Sequence, residues 1–144
     1  MRFYLDTEFN GHGGDLISMA LVPIEGDPFY AAREFSGPLE EWVADNVMPK
    51  LGTRLLRKEL FRAVFHAWAT LNKDPEIICD WHADAEHFCR MLAGPDFGSS
   101  LDFGCTIKII KTPPGEPVSE TPHNALADAR ALMQWYEVQL QERG

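Results

Sequence analysis

The first 35 residues constrain the fold of this chain most. Three runs of strand-forming residues, Arg2 to Phe9, Leu16 to Ile24 and Phe29 to Phe35, are separated only by Gly11-His12-Gly13-Gly14-Asp15 and Gly26-Asp27-Pro28. Connections this short and this rich in turn residues cannot carry a crossover between parallel strands, so they predict an antiparallel meander.

The remainder alternates between helix and strand signals. Pro38 to Met48 predicts a short helix. Thr53 to Asn72 predicts a longer one, in which Leu56, Leu60, Ala63, Val64, Ala67, Trp68 and Leu71 recur at three- and four-residue steps. Asp74-Pro75 breaks that pattern. Glu76 to Trp81 reads as a fourth strand, Asp84 to Leu92 as a helix with Phe88, Met91 and Leu92 on its inner face, and His123 to Gln141 as a final helix. Residues 94–122 carry no clear pattern: Leu101 to Ile110 reads as a strand or a short helix, and Lys111 to Pro117 as an irregular loop. The expectation is an α/β fold, a mixed sheet of three antiparallel strands plus parallel ones flanked by helices, in a single domain over residues 1–144. A chain of 144 residues with 45% hydrophobic residues can bury a core without staples.

Composition narrows the function classes. The three cysteines, Cys79, Cys89 and Cys105, show no paired spacing, which supports neither a disulfide framework nor a zinc site and points to a reducing cytoplasm. No apolar run approaches the ~20 residues of a membrane span, and the N-terminus reads as a first strand rather than a signal peptide. The net charge of -9 argues against a binder that relies on a basic footprint. It argues less against a nucleic-acid enzyme, because bound divalent metals invert the field of a carboxylate cluster. Lys50, Arg54, Arg57, Lys58 and Arg62 run against the trend and read first as a solvated helix face.

The informative residues are acids at positions where packing prefers apolar side chains. Strand alternation puts Phe3, Leu5, Thr7 and Phe9 on one face and Tyr4, Asp6 and Glu8 on the other, so two carboxylates lie together near the strand end. They repel unless protons or a cation sit between them; taken alone, such a pair reads as solvent-facing. Asp128 heads a helical face that continues through Leu132, Trp135 and Val138, where a lone carboxylate is costly unless paired or bound to metal. Asp84 opens a helix in the same way, with an ordinary N-cap as the bland alternative and Asp80 as a rival acid on the preceding strand. His123 lies five residues before Asp128, about 140° around a helix, and so belongs to the loop or first turn. The other histidines, His12, His66, His82 and His87, read as structural or exposed.

Together these residues resemble the DEDDh branch of the DnaQ-like exonucleases, which have the RNase H-like fold. Asp6-Thr7-Glu8-Phe9-Asn10-Gly11 matches that family's D-x-E followed by two residues and a glycine, and His123-Asn124-Ala125-Leu126-Ala127-Asp128 matches its H-x-x-x-x-D. The middle motif is looser. The family's asparagine, four before its aspartate, falls on Asp80, and its aromatic falls on Ala83, which places the middle aspartate on Asp84 with Asp80 as fallback. The opening Arg2 to Phe9 and the stretch over residues 42–51 look like the small mycobacterial-type single-domain exoribonucleases, with a departure where threonines after Glu8 are replaced by Phe9 and Asn10.

The resemblance implies a catalytic set of Asp6, Glu8, Asp84, His123 and Asp128. The four acids would hold two Mg²⁺ or Mn²⁺ ions, and His123 would act as general base, since an unperturbed imidazole pKa of about 6.5 suits that role. Thr7, Phe9 and Gly11 would lie against substrate. The implied reaction releases nucleoside 5′-monophosphates from the 3′ end of single-stranded or overhanging nucleic acid, with RNA favoured over DNA, and a homodimer could extend the groove. Two other classes compete. One is a non-catalytic RNase H-like interaction module. The other is a phosphoaspartate hydrolase, for which Glu8 stands where a second aspartate is wanted.

Overall fold

The computed structural model describes residues 1–94 and 101–144; part of the stretch without clear sequence pattern, residues 95–100, lies outside them. Six strands form one mixed sheet. β1 (Arg2–Phe9), β2 (Leu16–Pro23) and β3 (Phe29–Arg33) are the expected meander, paired antiparallel in sequence. β5 (Glu76–Cys79) and β6 (Thr106–Ile109) add in parallel on the other side of β1. A two-residue β4 (Leu55–Leu56) lies parallel to β3, giving the order β4-β3-β2-β1-β5-β6. The helices are α1 (Glu41–Asn46), followed by a 3-10 turn at Met48–Lys50, then α2 (Lys58–Leu71), α3 (His82–Ala93) and α4 (Ala125–Arg143).

Phe3, Leu5 and Thr7 on one face of β1 and Tyr4 on the other are buried, whereas Asp6 and Glu8 toward the strand end are only half-buried. Phe3 and Leu5 pack with Phe61, Phe65 and Trp68 of α2 and Phe88 and Met91 of α3. On the other face Tyr4 meets Leu132 and Tyr136 of α4. The start of α4 lies on β2 through Ala125 and Ala129 against Ala20 and Val22. Small side chains at that contact let helix and sheet approach closely, and they carry the first turns of α4 over the end of β1.

Several elements differ from the sequence expectation. The helix expected from Thr53 begins at Lys58, because Leu55 and Leu56 pair with β3 instead. Its buried face is Phe61, Phe65, Trp68 and Ala69, so Leu60, Val64 and Leu71 of the expected stripe are exposed. The aromatic side chains one position along bury more apolar area and set the phase. The helix expected over Pro38 to Met48 is regular only at Glu41–Asn46. β5 stops at Cys79 and α3 starts at His82, so Asp80 lies beyond the strand and Asp84 sits inside the first turn rather than at the N-cap, which is Trp81. The ambiguous Leu101 to Ile110 contains a strand, β6. In α4 the buried line is Ala125, Ala129, Leu132 and Tyr136, which leaves Val138 exposed and Asp128 at the edge of the apolar face rather than on its axis. Among the described residues no helix is long and apolar enough to cross a membrane.

Candidate metal centre and active site

The centre forms where the sheet changes direction. From β1 the chain order runs through β2 and β3 on one side and returns through β5 and β6 on the other. Ligands in open α/β sheets commonly bind beyond the carboxyl ends of strands at such a switch point. The β1–β5 ladder ends at Tyr4 opposite Ile78. Asp6 and Glu8 therefore extend past the last paired residue of β5, into the space beside which Asp80 leaves the sheet.

Two carboxylate triads share Asp6. One is Asp6, Glu8 and Asp128; the other is Asp6, Asp80 and Asp84; in each, one ligand oxygen per residue lies within 4.8 Å of the others. β1 thus meets α4 in the first triad and the β5–α3 junction in the second. Thr7, on the opposite face of β1 from Asp6, fixes Asp84: its backbone N–H and its hydroxyl both donate to Asp84 Oδ1, at 3.1 and 2.6 Å. Asp84 is only 1% exposed. The sequence left Asp80 and Asp84 as alternatives, whereas the short β5 and early α3 bring both to Asp6.

This concentration of acid is electrostatically costly without a counter-charge. Burial pushes the Asp6 carboxyl well above the usual range, and Asp84, Glu8, Asp128 and Asp80 add to it. Burial, then Asp128 and Asp84, raise Glu8 to about 8, with Lys50 opposing. Asp84 is pushed up to about 7 by burial although the Thr7 hydrogen bonds favour its charged form. Asp80 and Asp128 are raised too, again chiefly by burial. Asp6 Oδ2 and Asp128 Oδ1 are buried with no hydrogen-bond partner among the described residues. An all-oxygen donor set with orphaned carboxylate oxygens fits hard divalent cations such as Mg²⁺ or Mn²⁺.

The sign of these shifts gives a stability prediction. Below about pH 4.3 both folded and unfolded chains hold the Glu8 proton, and above that value the unfolded chain releases it first. The folded, metal-free protein keeps its Glu8 proton up to about pH 8 and its Asp84 proton up to about pH 7. The folded state therefore binds more protons across this window, and stability falls as pH rises through it, levelling off above. In EDTA the melting temperature is expected to drop between pH 5 and pH 8, with a shallower drop in Glu8→Gln. Identical pH dependence in the two proteins contradicts this.

His123 precedes α4 with a φ of +70°, a left-handed conformation that is uncommon for a side-chain-bearing residue. Its backbone N–H donates to Asp128 Oδ2 at 3.0 Å, which ties the histidine to one of the acids. Its ring packs edge-on against Trp42, with centroids 4.8 Å apart. Histidine and acids together line a cavity of about 430 Å³ that also contains Phe9, Trp42 and Trp81. Phe9 lies against Trp81 and His87, at centroid distances of 5.5 and 4.8 Å.

Gly11 closes the same cavity. It takes a φ of +75°, and a Cβ there would fall within 2.1–2.3 Å of the Glu40 carboxyl group. Asn10 holds the segment carrying Glu40 in place: its side-chain amide donates to the Pro38 carbonyl at 2.9 Å, and its oxygen accepts from Glu40 N–H at 3.0 Å. Sequence reasoning missed Glu40, Trp42 and Trp81. The tryptophans are 53% and 45% exposed, and no periodicity marks an aromatic residue that faces a cavity rather than the core. No protein-family model and no curated protein sequence matches the chain.

Proposed function

We propose that this chain is a metal-dependent 3′-5′ exonuclease of the DEDDh type, built on an RNase H-like version of its mixed sheet and acting preferentially on RNA. The observation that carries the reading is the pair of triads on Asp6, drawn from β1, the β5–α3 junction and α4. A folded chain tolerates five acids converging in this way when cations offset them.

Asp6, Glu8 and Asp128 would hold one cation, and Asp6 with Asp84 the other, with Asp80 in reach of the second. Divalent cations bound there supply an acidified water and relieve charge on the leaving 3′ oxygen. The remaining work falls to the protein. Thr7 holds Asp84 in place by two hydrogen bonds. His123, anchored by its own backbone to Asp128, accepts a proton from the attacking water; as the phosphorus–oxygen bond breaks, the leaving 3′ oxygen takes a proton from solvent to become the new 3′-hydroxyl, and His123 later returns its proton to solvent. Phe9, banked against Trp81 and His87, offers a ring face to the terminal base, contact that tolerates any base. The product is a nucleoside 5′-monophosphate and a strand shorter by one.

A ladder assay on 5′-labelled RNA and DNA with Mn²⁺, Mg²⁺ or EDTA tests the proposal. The expected result is stepwise shortening of RNA, with the label retained on the long fragments, and none in EDTA. No shortening of either strand in Mn²⁺ would overturn it. Faster shortening of DNA would keep the chemistry and move the substrate to DNA.

A further inference from the structure

We infer that Lys50 is a substrate-contacting residue of this centre, its ammonium binding a phosphate oxygen of the nucleic-acid strand beside His123; the inference rests on the exonuclease reading. Lys50 ends the 3-10 turn after α1. Its Nζ donates to the carbonyl of Pro122 at 3.2 Å, and Pro122 lines a second cavity, of about 360 Å³, together with Asp6, His123 and Asp128. The root of the side chain is held just as firmly. Asn124, which caps α4 by accepting from Ala127 N–H at 2.9 Å, donates from Nδ2 to the Lys50 carbonyl at 2.7 Å. The Tyr30 hydroxyl donates to the next carbonyl, that of Leu51, at 2.6 Å. These bonds join the lysine to the helix that carries Asp128.

Among the described residues the Lys50 ammonium enters no ion pair within 4.0 Å. An ammonium has three N–H donors, and the Pro122 carbonyl takes one. Lys58, in the same basic stretch, is committed instead to Asp15 at 3.1 Å and to Ser36. A polyanionic strand approaching a chain of net charge -9 needs fixed positive charge where its phosphates arrive, and lysine serves phosphate as a point charge. This separates Lys50 from the solvated face that the sequence pattern suggested for the whole stretch.

The test uses the full chain with Mn²⁺ and 5′-labelled RNA, measuring kcat and KM for the parent, Lys50→Met, Lys50→Gln and Lys50→Arg at several salt concentrations. Loss of one phosphate contact should raise KM by about tenfold with kcat little changed. The slope of log(kcat/KM) against log[salt] should become shallower by about 0.7 in the Met and Gln variants, and Lys50→Arg should restore it. An unchanged salt slope in either neutral variant would overturn the inference, and a fall confined to kcat would assign Lys50 to holding the His123 loop instead. An inactive parent protein would sink the exonuclease reading itself, so the two failures are distinguishable.

Discussion

Asp6→Asn is expected to abolish hydrolysis, by more than about 10⁴-fold or roughly 5 kcal/mol of barrier, while raising the melting temperature of the metal-free protein. Both effects follow from one geometry. Asp6 is the residue common to the two triads, so its loss weakens both cation positions at once, whereas Glu8 or Asp80 belongs to one. The same carboxylate is half-buried beside four others, and its buried Oδ2 has no partner among the described residues. Asparagine keeps the shape and removes the charge, so repulsion within the cluster falls when no cation is present. Kinetics in Mn²⁺ and thermal melts in EDTA read the two effects separately. Full activity in Asp6→Asn would contradict the assignment of both triads.

His123→Ala is expected to lower kcat by roughly 10²- to 10⁴-fold, the range for loss of a general base, and to leave cation binding intact. On the proposed reading, the two roles would fall on different atoms of the residue. The bond from His123 to Asp128 comes from the backbone N–H, which alanine retains, and the imidazole faces Trp42 and the cavity. The variant should therefore keep the cation-induced rise in melting temperature that Asp6→Asn loses. Because His123 has a φ of +70°, His123→Gly is a useful companion: it removes the ring at no steric cost to the backbone. Wild-type turnover in either variant removes the imidazole from the mechanism.

The acids were legible in the sequence because each broke a local rule. Asp6 and Glu8 interrupt a strand that also carries Phe3, Tyr4, Leu5 and Phe9, and Asp128 stands beside the apolar line of α4. Such conflicts between residue type and position are expected at functional sites. The meander was legible for a different reason, since two short turn-rich connections leave few ways to join three strands.

What could not be read depended on contacts between distant segments. The phase of α2 is set by Phe61, Phe65 and Trp68 meeting Phe3 and Phe29, and Leu60, Val64 and Leu71 satisfy the same period one position out of phase. That both Asp80 and Asp84 reach Asp6 depends on where β5 ends, and a shift of one or two residues at an element boundary lies below what local pattern resolves. Thr7 gave no sign of holding Asp84, 77 residues away. Nor did the basic stretch over residues 50–62 reveal that Lys50 alone reaches back to the Pro122 carbonyl, since that contact requires α4 to be in place.

The central claim is that these carboxylates hold divalent cations, and the most direct measurement is a Mn²⁺ titration of the metal-free chain at pH 8, followed by electron paramagnetic resonance and by calorimetry in buffers of different ionisation enthalpy. The account predicts that Mn²⁺ loses its free-ion signal on binding and that protons are released as Glu8 gives up a proton held to about pH 8, with both signals absent or much reduced in Asp6→Asn. A free-ion Mn²⁺ signal that persists with excess protein, or proton release unchanged in Asp6→Asn, would contradict it.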